Sequence, residues 1–180
     1  MEYKWVVLTV TTVGAFMAAV DSTVLIVGLP TVLNDLNATL VHGIWIFTSY
    51  RLALTILLVA IGAVADMLGR VRLYNFGFAL FTVSSALCAL SQSGDQLVFF
   101  RLIQGIGGAL LIVNSVAIIA DVFPTTELGT GIGINFMAFN LGSIIGYTLS
   151  GVMVELAGWR SIFLINLPVG VFGTLWAHVR

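Results

Sequence analysis

Asp21, Arg51 and Arg101 each stand inside a long apolar stretch, where an ionised group is costly unless it is paired or wetted. A carboxylate in such a place has two uses. It ties helices together as a structural ion pair, or it exchanges a proton or a cationic ligand, its proton affinity depending on whether a base stays near. Helical rise puts Asp21 roughly 13 Å below Pro30 and Arg51 roughly 12 Å beyond Gly43. Those similar depths make an Asp21–Arg51 pair geometrically allowed. Arg101 lies nearer the start of its stretch, with a side chain long enough to reach the same level. Gln104, Asn114, Asn135, Asn140 and Asn166 are the other polar side chains in apolar surroundings. Singly, such groups hydrogen-bond between helices and contribute under about 2 kcal/mol. As a set they outline a moderately polar cavity. His42 and His178 fall at opposite ends of the helices expected here, so they cannot share a metal or acid–base site. No catalytic residue, metal or cofactor is implied.

A second constellation is Gly62-x-x-x-Asp66-x-x-Gly69-Arg70. A looser copy follows as Gly151-x-x-x-Glu155-x-x-Gly158-Trp159-Arg160. In each, glycine permits a sharp reversal between two apolar runs. Asp at a helix N-terminus and Arg at a C-terminus each gain from the helix dipole, so such a turn can latch neighbouring helix ends. A latch that forms in one state and breaks in another biases a two-state equilibrium. The plainer reading is a solvated turn whose arginine sets topology. Repetition of the pattern points to internal repeats of the kind found in secondary transporters.

The elements that carry these residues are membrane helices. The chain is 59% hydrophobic and 8% charged, whereas soluble domains average roughly 25% charged. Its net charge of −1 leaves no basic face for nucleic acid. Six stretches, residues 5–29, 44–64, 73–90, 97–120, 131–156 and 162–177, are long enough for a bilayer. Short breaks separate them at residues 31–42, 66–72, 91–95, 124–127 and 158–160. Lys4 before an apolar run mimics a secretion signal, but that run continues to Pro30, which fits an uncleaved first helix. If the spans alternate, Lys4, Arg70, Arg72 and Arg180 share one side and Arg160 takes the other. The positive-inside rule then puts both ends of the segment and the Asp66–Arg70 turn in the cytoplasm. Trp5, Trp45, Trp159 and Trp176 fall near span ends, where indole rings favour the interface. Glycines at 105, 107 and 108, at 129, 131 and 133, and at 142 and 146 allow close helix packing.

These residues resemble the N-terminal half of a major facilitator superfamily transporter, and most nearly the fourteen-helix drug/proton antiporters. Asp21-Ser22-Thr23-Val24 with Gly28-Leu29-Pro30 is similar to that family's first-helix motif. Gly62 to Arg70 is similar to the superfamily's loop between helices two and three. Arg101-x-x-Gln104-Gly105-x-Gly107 resembles the fourth-helix motif, and residues 159–170 resemble the start of helix six. Gly142, Gly146 and Gly151 follow the fifth-helix antiporter motif, with Tyr147 where proline is usual and Ser150 where a glycine is usual. Ile26, Met67, Val71 and Leu128 are further departures. The resemblance implies an all-α integral membrane fold: a six-helix bundle of two inverted three-helix repeats, one half of a longer transporter. It implies a plasma-membrane protein that moves a small molecule by alternating access, with proton-coupled efflux as the mode. A facilitator or symporter for a nutrient is the alternative. Asp21, Arg51, Arg101 and Gln104 would handle substrate or protons, and Asn114 and Asn140 would line the cavity. Gly62, Asp66, Gly69 and Arg70 would form the cytoplasmic gate. The implied partners are the substrate, protons, lipid and a second helical bundle that this segment lacks.

Overall fold

A computed structural model describes residues 3–179, with side chains through Thr174; Arg180 and the side chains of Trp176 and His178 lie outside the described residues. The described chain is helical throughout: α1 (Tyr3–Asp35), α2 (Leu40–Leu68), α3 (Arg70–Ala89), α4 (Gly94–Val122), α5 (Leu128–Ala157), α6 (Ser161–Leu164) and α7 (Asn166–Val179). Five of these, α1 to α5, are long and apolar enough to cross a membrane. Connections are short, so consecutive helices run antiparallel, and α4 runs opposite to α1.

Two boundaries differ from the sequence expectation. First, α1 does not stop at Pro30 but continues to Asp35. Pro30 forfeits one intrahelical bond, and burial of Val32 in the core offsets that loss. Second, within the stretch 162–177 the helical ladder lapses at Ile165, which keeps helical angles (φ −62°, ψ −26°), so α6 and α7 are two segments of one apolar helix. Pro168 has no N–H to give the Leu164 carbonyl, so the ladder restarts with Pro168 in the first turn of α7, where proline is tolerated.

The packing has the two-fold relation of an inverted repeat. α1 lies along α5 and α4 lies along α2, while α1 crosses α4 at the centre and α3 meets α7 at the periphery. Exchanging α1–α3 for α4–α7 maps the α1–α5 contact onto the α4–α2 contact and returns the α1–α4 and α3–α7 contacts to themselves. Glycines seat the close approaches. A Cβ on Gly105 would stand 2.5 Å from the Tyr50 carbonyl of α2, and one on Gly107 would stand 2.8 Å from the Phe81 amide of α3. One on Gly142 would stand 2.7 Å from the Phe16 carbonyl of α1. Gly129 and Gly133, expected to serve the same way, have open space where a Cβ would go. Coverage is uneven: 56% of α1's most apolar window and 61% of α4's is buried, against 17% for α2 and 22% for α5. The bundle therefore buries α1 and α4 and leaves broad apolar faces of α2 and α5 open.

Candidate functional site

Arg101 and Gln104 are three residues apart on α4, so they share a face. That face meets α1 where Asp21 stands. Arg101 Nη1 donates to Asp21 Oδ2 at 2.6 Å, and Gln104 Nε2 donates to Oδ1 at 2.9 Å. A third donor, Asn166 Nδ2 in the first turn of α7, reaches Oδ1 at 2.7 Å. Ser85 of α3 completes the group, its Oγ accepting from Gln104 at 2.6 Å and from Asn166 at 3.2 Å. Gln104 Oε1 in turn accepts from Arg101 Nη1 at 2.7 Å. Every member is 1% exposed or less. The cluster thus joins α1, α3, α4 and α7 through one carboxylate.

Aromatic rings close the remaining sides. The Arg101 guanidinium lies 4.3 Å from the Tyr50 ring centroid and 5.8 Å from that of Phe163. Such stacking gains when the cation is desolvated, as it is here. Two buried unit charges of opposite sign, with hydrogen bonds on both, form a neutral and nearly satisfied unit. Asp21 thus accepts three hydrogen bonds, two on Oδ1 and one on Oδ2.

Arg51 is not part of this arrangement. The Asp21–Arg51 pair that similar depth allowed does not form, and Arg51 is exposed. The physical reason is angular. α2 packs on α4 through Ser49, Tyr50 and Ala53, and Arg51, about 100° round from Tyr50, turns away. α1 and α2 scarcely meet. The asparagines also divide. Asn114 is fully buried and donates to Leu110 O of its own helix at 2.8 Å. Asn140 is exposed on α5 and donates to Phe136 O at 2.7 Å.

At one end of the bundle, Gly69 turns α2 into α3 with φ +95°, a conformation that suits glycine. Arg70 donates through Nη2 to Asp66 Oδ1 at 2.8 Å and through Nη1 to Asp121 Oδ1 at 2.7 Å. It reaches Ala117 O at 3.3 Å as well. The turn is therefore fastened to the end of α4, within the bundle. Asp121 was legible only as a helix end. Gly62 belongs to the motif by spacing, yet a Cβ there would meet nothing within 4 Å. Lys4 joins Glu127 at 2.8 Å on the same face.

Along α5, Gly142, Gly146 and Ser150 form a stripe against α1. Ser150, in the place of a usual glycine, is buried and donates its hydroxyl to the Val24 carbonyl. Tyr147 is exposed, Gly151 lies in open space, and α5 runs unbroken through both. Sequence reasoning missed Ser85 altogether and treated Asn166 only as a generic polar residue. The signal for Asn166 was its place just before Pro168, where α7 begins.

The Major Facilitator Superfamily profile matches residues 11–180. The riboflavin transporter RibZ of Clostridioides difficile (strain 630) is 34% identical over 95% of this chain and 38% of its own length. The methylenomycin A resistance protein of Bacillus subtilis (strain 168) is 38% identical over 96% of this chain and 37% of its own. The uncharacterized transporter YebQ of Escherichia coli (strain K12) is 38% identical over 92% and 36%. The chain thus spans little more than a third of these relatives. Among solved structures, a bacterial homolog of the human lysosomal transporter Spinster, inward-facing and occupied, superposes with TM-score 0.85 at 22% identity, covering 99% of this chain and 44% of that one.

Proposed function

The chain belongs to the major facilitator superfamily, and on that premise we propose that it is the N-terminal six-helix bundle of a secondary transporter. The transporter exports a small molecule across the plasma membrane by alternating access, with the segment's ends in the cytoplasm, and proton antiport drives it. The observation that carries this reading is Asp21. A buried ion pair is a poor stabiliser, since well-packed apolar residues of the same volume do as well or better. An intramembrane carboxylate held by Arg101, Gln104 and Asn166 is better accounted for as a group that is periodically released to titrate. Arg51 and Asn140, exposed on the two least covered helices, are the residues of this bundle assigned to the cavity wall with the second bundle. The Asp66–Arg70–Asp121 latch is assigned to the cytoplasmic gate of the outward-facing state. Efflux has the support of relatives named for methylenomycin A resistance and for tetracenomycin C resistance and export.

The test uses everted vesicles holding the complete transporter, with ethidium and riboflavin as probes. Antiport predicts uptake under an imposed proton gradient and its loss when an uncoupler collapses that gradient. Uptake that survives the uncoupler refutes antiport and favours the second reading, a proton-independent or symporting facilitator for a metabolite. That alternative rests on Tyr147, Ser150 and the continuous run of α5, and on the relative named as a riboflavin transporter.

A further inference from the structure

The turn between α5 and α6 repeats, at the opposite end of the bundle, the fastening made by the turn between α2 and α3. Gly158 has φ +74° where Gly69 has +95°. Gly69 N–H caps Ala65 O at 2.9 Å, and Gly158 N–H caps Val154 O at 3.1 Å. The residue after Gly69 is Arg70, which reaches Asp121 near the end of α4. Arg160 follows Gly158 by two and donates through Nη1 to Asp35 Oδ2, at the end of α1, at 2.7 Å. α1 and α4 exchange under the repeat, so Asp35 and Asp121 are counterparts. So are Arg160 and Arg70.

The two fastenings differ in one respect. Glu155 stands where Asp66 would be, on an exposed position. In place of that carboxylate, the outer turn uses an indole. Trp159 Nε1 donates to the same Asp35 Oδ2 at 2.8 Å, and the ring is 2% exposed. The Arg160 guanidinium lies 4.4 Å from the Trp159 ring centroid, and its Nη2 donates to the carbonyl of fully buried Ser91 at 3.3 Å. An ion pair this exposed, at 44% and 48% of its side chains, contributes little alone. Anchored by a buried indole N–H and a buried carbonyl, it becomes a geometric lock across α1, the α3–α4 turn and the α5–α6 turn. Trp159 also meets Phe163 edge-on at 6.2 Å, and Phe163 flanks Arg101 at 5.8 Å. Lock and charge cluster share one packed wall.

We propose that Asp35, Trp159 and Arg160 form a second latch, which holds the outer end of this bundle in its closed arrangement and so favours the inward-facing state. It opposes the Asp66–Arg70–Asp121 latch, and its sign rests on assigning that latch to the cytoplasmic gate. The inversion that relates the two turns also reverses the state each one favours.

Hydrogen–deuterium exchange of the complete transporter in nanodiscs tests this. Asp35→Asn should raise exchange about five-fold or more in residues 30–42 and 155–162, the range of a typical coupling between sites. It should at the same time lower exchange in residues 64–72 and 121–130. Asp121→Asn should do the reverse. Trp159→Phe, which keeps an aromatic side chain but removes the N–H together with part of the buried bulk, should act as Asp35→Asn does, more weakly. It also serves where Asp35→Asn does not fold. A loss that is merely structural raises exchange near the change and protects nothing at the far end, and that outcome for Asp35→Asn or Trp159→Phe overturns the second latch. Reciprocal shifts from Asp35→Asn with none from Asp121→Asn would uphold the second latch and refute the assignment of the cytoplasmic gate.

Discussion

Asp21→Asn in the complete transporter is expected to stop gradient-driven transport and leave the chain inserted in the membrane. Asparagine keeps the shape of the side chain and one carbonyl oxygen. It removes the charge and adds an NH2 where Arg101 Nη1, Gln104 Nε2 and Asn166 Nδ2 already donate. Arg101 then keeps the neutral Gln104 oxygen as an acceptor at 2.7 Å, with side-chain exposure of 1%. Removing one partner of a buried pair costs about 3–5 kcal/mol. At 1.4 kcal/mol per decade, that is roughly a hundred- to several-thousand-fold in the folded population. The double variant Asp21→Asn, Arg101→Gln removes both charges and should recover about 2 kcal/mol or more, since neutral replacement of a buried pair is tolerated far better than orphaning one member. Thermal unfolding in detergent measures the stability terms, and ethidium efflux from energised cells measures transport, which should be absent in both variants. Normal efflux by Asp21→Asn refutes the role given to the carboxylate. A double variant no more stable than the single refutes the claim that an orphaned guanidinium is the source of the loss.

Other outcomes follow from the same geometry. Arg70→Ala should slow turnover several-fold, yet cost under about 1 kcal/mol, because its partners are more than half exposed; an altered ratio of ethidium to riboflavin transport would count against a gate outside the cavity. Gly69→Ala should destabilise by about 1–2 kcal/mol through its positive φ, whereas Gly62→Ala, with open space around it, should stay within about 0.5 kcal/mol. Equal unfolding midpoints for these two would refute the backbone argument. Gly146→Val should cost about 1–3 kcal/mol by overpacking, since even a Cβ there would stand 3.0 Å from the Val20 carbonyl; an unchanged midpoint would show that α1 and α5 are farther apart.

The spans were legible because hydrocarbon allows few alternatives to an apolar helix of bilayer length. Breaks at Gly69, Pro124 and Gly158 were legible for the same reason, as departures from that pattern. Partner choice for Asp21 was not. Counting rise along a helix fixes depth only, and Arg51 and Asp21 share a depth. The angle of α2 about its axis is set by how Tyr50 seats against Gly105 and Gly108, a contact between residues about 55 positions apart in the chain. Arg101 was reached through motif likeness, not through geometry. Asn166 needed the packing of α7 against α1 and α3, which brings its amide to Asp21 and Ser85. Asp35 and Asp121 were hidden because each ends a helix, where an acid is unremarkable until its arginine is placed.

The distribution of these contacts bears on how such a bundle moves. Asp21 gathers donors from α4 and α7 and, through Ser85, ties in α3. Separating any of those helices from α1 would expose an ion in a medium that cannot solvate it. That penalty, several kcal/mol per ion, exceeds what an exposed latch offers. Large rearrangement inside the bundle is therefore disfavoured relative to rocking of the bundle as a whole. In the proposed transporter, the open faces of α2 and α5 are where such rocking would make and break contact with a second bundle. Local change at the two ends remains inexpensive, because Arg70 and Arg160 pair with acids that water can reach. In the proposed antiporter, a proton at Asp21 would change the bundle's orientation only if it loosened this centre enough for an end to reset. The Trp159–Phe163–Arg101 wall is the contact through which the outer end would register that loosening.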